Sequence, residues 1–216
     1  MHKLILFSFI CLLALSCNNS GNKKDVTEDS IVHADSLINS MDVDDPVRDS
    51  TLLALTENVL TAFKNKQYDS LSLFIHPEEG VLFSPYGYVD TAGNVVVKAE
   101  TMKTWVDKKK QPKIMWGWYD GDEEEIRMTI NEYVKRFVYD MDFLKPDSLK
   151  VDELIAGEHV LKMLRDFFPG CHFVESHFEG VDEKNDGMDY RNLRLVFKMK
   201  DGKYYLVGVI HDEWVI

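Results

Sequence analysis

Histidines, carboxylates, cysteines and indoles are the side chains of this sequence with which chemistry could be built, and their spacing limits which chemistry that is. Glu175 and His177 stand two apart in a strand-like run and so project from one face, while His211 lies in a second such run. A zinc ion would need one more ligand and a matched geometry. No His-x-x-x-His spacing supplies it, so no metal is expected. His172 and His177, five apart, face opposite sides of a strand and cannot share a site on one face. Gly117, Gly121, Gly180 and Gly187 form no phosphate-cradling pattern, and the acidic run from Asp120 to Glu125 lacks the ligand order of a calcium loop. That run reads as a solvated loop, and no cofactor is expected. Trp116, Trp118 and Tyr119 could stack on sugar rings, but Trp116 and Trp118 alternate as a strand does, which assigns them to core or rim packing.

The cysteines divide by position. Cys171 stands alone in the body of the chain and reads as a small buried hydrophobe. Cys11 and Cys17 belong to the amino-terminal segment. There Met1-His2-Lys3 gives a positive start, Leu4 to Leu15 an apolar stretch broken only by Ser8, and Ala14-Leu15-Ser16 a small-residue junction ahead of Cys17. These are the three parts of a secretory signal, expected over residues 1–16. As a helix the roughly 12-residue apolar stretch covers only ~18 Å of a ~30 Å hydrocarbon core, too little to span it. The junction resembles the bacterial lipobox, although Ala14 stands where that motif usually has leucine. The resemblance implies cleavage before Cys17 and a diacylglyceryl group on its thiol. Asn18, in place of a retention aspartate, favours the outer membrane over the inner.

From Cys17 to Asp49 there is no Phe, Trp or Tyr, and eight acidic side chains face three basic ones. Residues 17–49 are therefore expected to form a flexible tether spanning on the order of 30 Å, with a marginal short helix around Ile31 to Met41. Loss of Lys3 with the signal leaves 24 basic against 37 acidic residues, a net charge of -13. Such a chain is a poor partner for nucleic acid, whose phosphates are held by clustered Lys and Arg. The one basic run, Lys108-Lys109-Lys110 with Lys113, reads as a solvated helix end.

Residues 50–216 are long enough for a single self-sufficient domain. Leu52, Leu55, Val59, Leu60 and Phe63 recur at helical spacing after Asp49-Ser50-Thr51, predicting a helix over 51–64. Tyr68 to Ile75 reads as a second helix stopped by Pro77, which makes a helical hairpin. Short strands are expected at 81–83, 86–89 and 95–97, then a small helix over 100–108. Thr129 with Glu132 is a capping box opening a helix to about Val138, and another helix is expected over 158–167 before Pro169-Gly170. Strands at 171–178, 190–200 and 203–211 close the chain, the last two joined by the turn signal Asp201-Gly202. Helices first and long antiparallel strands last define an α+β class.

That element order, with the tail Val209-Ile210-His211-Asp212-Glu213-Trp214-Val215-Ile216, resembles the cone-shaped fold of the nuclear-transport-factor and ketosteroid-isomerase superfamily. The resemblance implies a helical hairpin packed on a curved, mainly antiparallel sheet. More narrowly, the segments from His76 to Tyr86, Trp116 to Gly121, Arg136 to Asp140 and Ile210 to Trp214 look like segments in a group of exported bacterial proteins to which no activity is assigned. The cone fold implies a pocket in which Asp, Tyr or His acts as base or oxyanion donor. His76, Tyr86, Arg136, Glu175, His177, His211 and Asp212 are the candidate pocket residues. No motif joins them into a catalytic set, and each is expected in a structural or surface role. The sequence thus predicts an envelope lipoprotein, held to the membrane by its anchor, whose domain binds a small ligand, a glycan or an envelope protein without catalysis. The alternative is a small pocket enzyme of the isomerase, cyclase or hydrolase kind.

Overall fold

Asp45, the first residue described in the computed structural model, caps the first helix. The structure describes residues 45–216 apart from 91–92, 108, 122–123, 156–157, 181–182, 186–187 and 214–216. The signal peptide, Cys17, the tether up to residue 44 and the helix around Ile31 to Met41 lie outside the described residues. The Asp45 carboxylate accepts from the backbone N–H groups of Val47 and Arg48, both at 3.1 Å, and Pro46 occupies a position where no N–H is needed. Helix α1 therefore spans Pro46–Asn65, starting five residues ahead of the expected 51. It ends at Lys66 in the left-handed region (φ 56°).

Helix α2 is confined to Tyr68–Ser72, shorter than expected, because the chain from Phe74 turns to pair with a strand: Leu206 N–H donates to Phe74 and His76 N–H donates to Leu206. The remaining elements among the described residues are β1 (Val81–Ser84), β2 (Val95–Val97), α3 (Ala99–Thr104), β3 (Ile114–Trp118), β4 (Glu125–Met128), α4 (Ile130–Phe137), β5 (Ser148–Val151), α5 (Glu158–Phe167), β6 (His172–Phe178), a 3₁₀ turn (Glu183–Asn185), β7 (Arg191–Lys200) and β8 (Lys203–Glu213). Tyr86 to Val89 is not the expected strand. Pro85 removes a ladder donor, and the Ser84 hydroxyl faces the carbonyls of Tyr86 (2.9 Å) and Tyr88 (2.7 Å), so the segment curls around that side chain.

Six strands form one sheet in the order β2-β1-β8-β7-β6-β5, and β3 with β4 forms a separate antiparallel pair. The large sheet is antiparallel except where β1 runs parallel to β8. A register shift at Val196/Phe197 interrupts the β7–β8 ladder. At the β7–β8 turn Asp201 (φ 50°) and Gly202 (φ 77°) are both left-handed, the geometry of the expected two-residue hairpin.

The sheet is buried on both faces. One face carries Phe83, Val174, Leu193, Leu195 and Val209 against α1, α2, α4 and the β3–β4 pair. The other carries Phe173, Val196, Val207 and Ile210 against Leu164 of α5, and Cys171 is buried there as expected. Burial pushes the Cys171 thiol up to about 11, so it stays protonated. No helix of the described residues is long and apolar enough to cross a membrane.

Candidate functional site

Strand register decides which polar side chains meet. Glu175 on β6 pairs with Arg194 on β7, which pairs with Ile210 on β8; one step along, Ser176, Leu193 and His211 line up; one step further come His177, Asn192 and Asp212. Side chains alternate between faces along each strand. Glu175, His177, Asn192, Arg194 and Asp212 therefore share the face covered by α5, whereas His211 points to the opposite one. The set considered for zinc, Glu175 and His177 with His211, is split by the sheet itself.

On the α5 face the buried Arg194 guanidinium donates through Nε to Glu175 (2.6 Å) and through Nη2 to Asp212 (2.8 Å). Glu175 also accepts from Ile155 N–H at 2.8 Å. With its amide nitrogen turned to His177 Nδ1 (2.6 Å), Asn192 presents its oxygen to Arg194 Nη2 at 3.3 Å. Arg194 and Glu175 are each fully buried, which requires compensated charge. Arg194 Nη1 has no partner among the described residues.

Behind it, on the core face, Glu213 meets Arg136 (2.5 Å) and Arg191 (3.1 Å), and Asp140 meets Arg191 (3.2 Å). The buried His211 ring lies with Nδ1 3.2 Å from the Pro85 carbonyl and Nε2 3.3 Å from Asp140. Burial works against the Asp140 charge, but the His211 hydrogen bond and the charges of His211 and Arg191 outweigh it and hold the carboxyl below its ordinary value. Ligand atoms of Asp140, His211 and Glu213 all lie within 4.8 Å of one another, close enough for a cation. Two guanidinium groups already neutralise those carboxylates, so the arrangement is that of an ion-pair cluster. Tyr86 borders it, stacked edge-on against Phe137 (5.9 Å) and accepting from Asp120 N–H at 3.0 Å. Burial raises the Tyr86 hydroxyl and, more strongly, that of Tyr133, so neither is a base near neutral pH.

Six of the seven sequence candidates thus gather at one end of the sheet, in two back-to-back networks. His76 does not join them. It stands near Tyr205, and its Nδ1 accepts from the Glu78 (3.3 Å) and Glu79 (3.0 Å) backbones, closing a turn. Sequence reasoning missed Asp140, Arg191, Asn192, Arg194 and Glu213. Asn192 and Arg194 alternate with apolar residues, a pattern that ordinarily marks a solvated face; here both are fully buried, on the side of the sheet where Leu164 of α5 packs with Val196 and Ile210.

Among the described residues, rings pack between the sheet and the helices, where the resemblance implied a pocket. Trp116 stacks on Tyr133 at 4.1 Å, and Phe83 meets both, at 5.4 and 5.7 Å. Two clefts lined by described residues open at the surface. One of about 460 Å³ opens between the first turn of α1 and the β7–β8 turn, lined by Val47, Leu55, Met199 and Tyr204 with Arg48 and Lys203. A smaller one, about 50 Å³, lies between the Tyr86–Tyr88 segment and Trp118.

No family model matches the chain, and no curated protein matches it. Three chains of known structure do. One is a protein from Xanthomonas campestris, provisionally assigned as a calcium/calmodulin-dependent protein kinase II association domain, to which this chain is similar at 10% identity and a TM-score of 0.36, over 80% of this chain and 91% of that one. Likeness at that level assigns neither activity nor partner to the residues described above.

Proposed function

We propose that the protein is an envelope lipoprotein, anchored through Cys17 and more readily placed in the outer than the inner membrane, whose α+β domain is a non-catalytic binding module of the cone-like class. The anchor rests on the residues from Met1 to Asn18. The observation that carries the binding role is a surface cleft among the described residues. Trp116 and Tyr133 stack between the sheet and the helices, and a cleft of about 460 Å³, in the size range of small-molecule sites and largely apolar, opens beside the first turn of α1. Glu175 and Asp212 are both engaged by Arg194, Arg136 by Glu213 and His211 by Asp140, as a structural network requires.

Two experiments test this. Cys17→Ser is expected to release the protein from the membrane fraction or leave it unprocessed; full processing and unchanged membrane attachment would overturn the anchor. Native mass spectrometry of the intact protein, taken gently from its own envelope, is expected to show added mass that disappears in Thr51→Trp, which fills the larger cleft. Added mass that survives this substitution would remove that cleft from the argument.

A further inference from the structure

The smaller cleft has walls of a different chemistry. Tyr88 and Trp118 are large aromatic side chains, each about half exposed (50% and 47%), and Tyr88 stacks nearly parallel on the buried Tyr86 ring at 6.0 Å. Two glycines keep the space between them clear. Gly117 sits at φ 137° at an irregularity in β3, and a Cβ on it would lie 3.6 Å from the Gly93 carbonyl and 3.7 Å from the Pro85 ring, within the cleft. Among the described residues of its lining there is no Lys or Arg; Asp90, which also has interactions of its own within the fold, is the carboxylate among them, and the Tyr88 hydroxyl lies against Asp120.

Aromatic faces beside a carboxylate favour an organic cation, which gains from the ring quadrupoles and from the charge together. Size narrows the choice. About 50 Å³ holds three or four water-sized groups. That is room for the tip of an alkylammonium chain and too little for a sugar ring bearing its own amine. We propose that this cleft binds the lysine side chain of a partner protein, with the ammonium against Asp90 and the terminal methylenes between Tyr88 and Trp118. The net negative charge of the chain would draw a basic partner surface toward it. This deepens the binding role proposed above and is independent of the anchor and of the larger cleft.

The test is a titration of the full chain, ¹⁵N-labelled at its indoles and held in neutral detergent, with Nα-acetyl-lysine methylamide. Nα-acetyl-norleucine methylamide serves as the uncharged isostere and glucosamine as the amino sugar; Trp118→Phe assigns the Trp118 signal. The lysine probe is expected to shift the Trp118 indole N–H saturably, with affinity falling at least tenfold in Asp90→Asn and in Tyr88→Ala, while norleucine leaves the signal in place. No shift with lysine, an equal shift with norleucine, or binding of glucosamine as tight as that of lysine would overturn the proposal. Because the signals of the buried Trp105 and Trp116 indoles report whether each variant is folded, loss of binding is separable from loss of structure.

Discussion

Arg194 is a fully buried cation facing two carboxylates, and its network is held by geometry at every atom except Nη1. Removing the cation alone strands Glu175 at zero exposure. Arg194→Met should therefore lower unfolding free energy by about 3–5 kcal/mol, read from urea denaturation; a loss below about 1 kcal/mol would mean that the carboxylates find other compensation. Asp140 gives a pH dependence of definite sign. Its carboxyl is held below the ordinary value in the folded state, so its contribution is fully present above the unfolded value of about 4 and is lost as pH falls through the folded one. The urea midpoint should decline below about pH 4, and Asp140→Asn should flatten that decline. Equal slopes in the two proteins would show that other carboxylates carry it.

Elements with a local signal were legible. The Thr129–Glu132 capping box forms, with the Thr129 hydroxyl accepting from Glu132 N–H at 3.3 Å and the Glu132 carboxylate from Thr129 N–H at 2.8 Å. The Asp201-Gly202 turn forms as well, and it is expected to tolerate Gly202→Ala poorly: a Cβ at φ 77° costs about 1–2 kcal/mol, measurable as a lowered thermal midpoint. Strand β5 went unread, since Ser148-Leu149-Lys150-Val151 pairs as an edge through its backbone and leaves Leu149 exposed. Tyr86 to Val89 was misread because its β-forming composition is overruled by Pro85 and the Ser84 hydroxyl.

At the scale of the molecule one sheet serves two cores. Phe83 and Leu195 face the aromatic cluster, whereas Val196 and Ile210 face α5, all from strands bonded to one another. Neither core can open without loosening the same ladder. Residues 45–216 should unfold in a single transition, with calorimetric and van't Hoff enthalpies in agreement; a separate early transition, abolished by deleting α5, would show that the second core is independent.

The sequence by itself determined what depends on neighbours within a few residues: helix caps, the hairpin turn, the alternation of the long strands, and hence that Glu175 and His177 share a face. Composition and the amino-terminal pattern likewise set the expected address. Long-range pairing is what puts His211 on the other side, one register step from the Glu175–Arg194 pair. The tertiary structure also decided that six dispersed candidates meet at one sheet end in two separate networks, and that, among the described residues, Trp116, Tyr133 and Phe83 pack together between sheet and helices. The physical reason is that a one-residue change of register reverses every side chain on a strand, and register is fixed by packing between residues far apart in the chain.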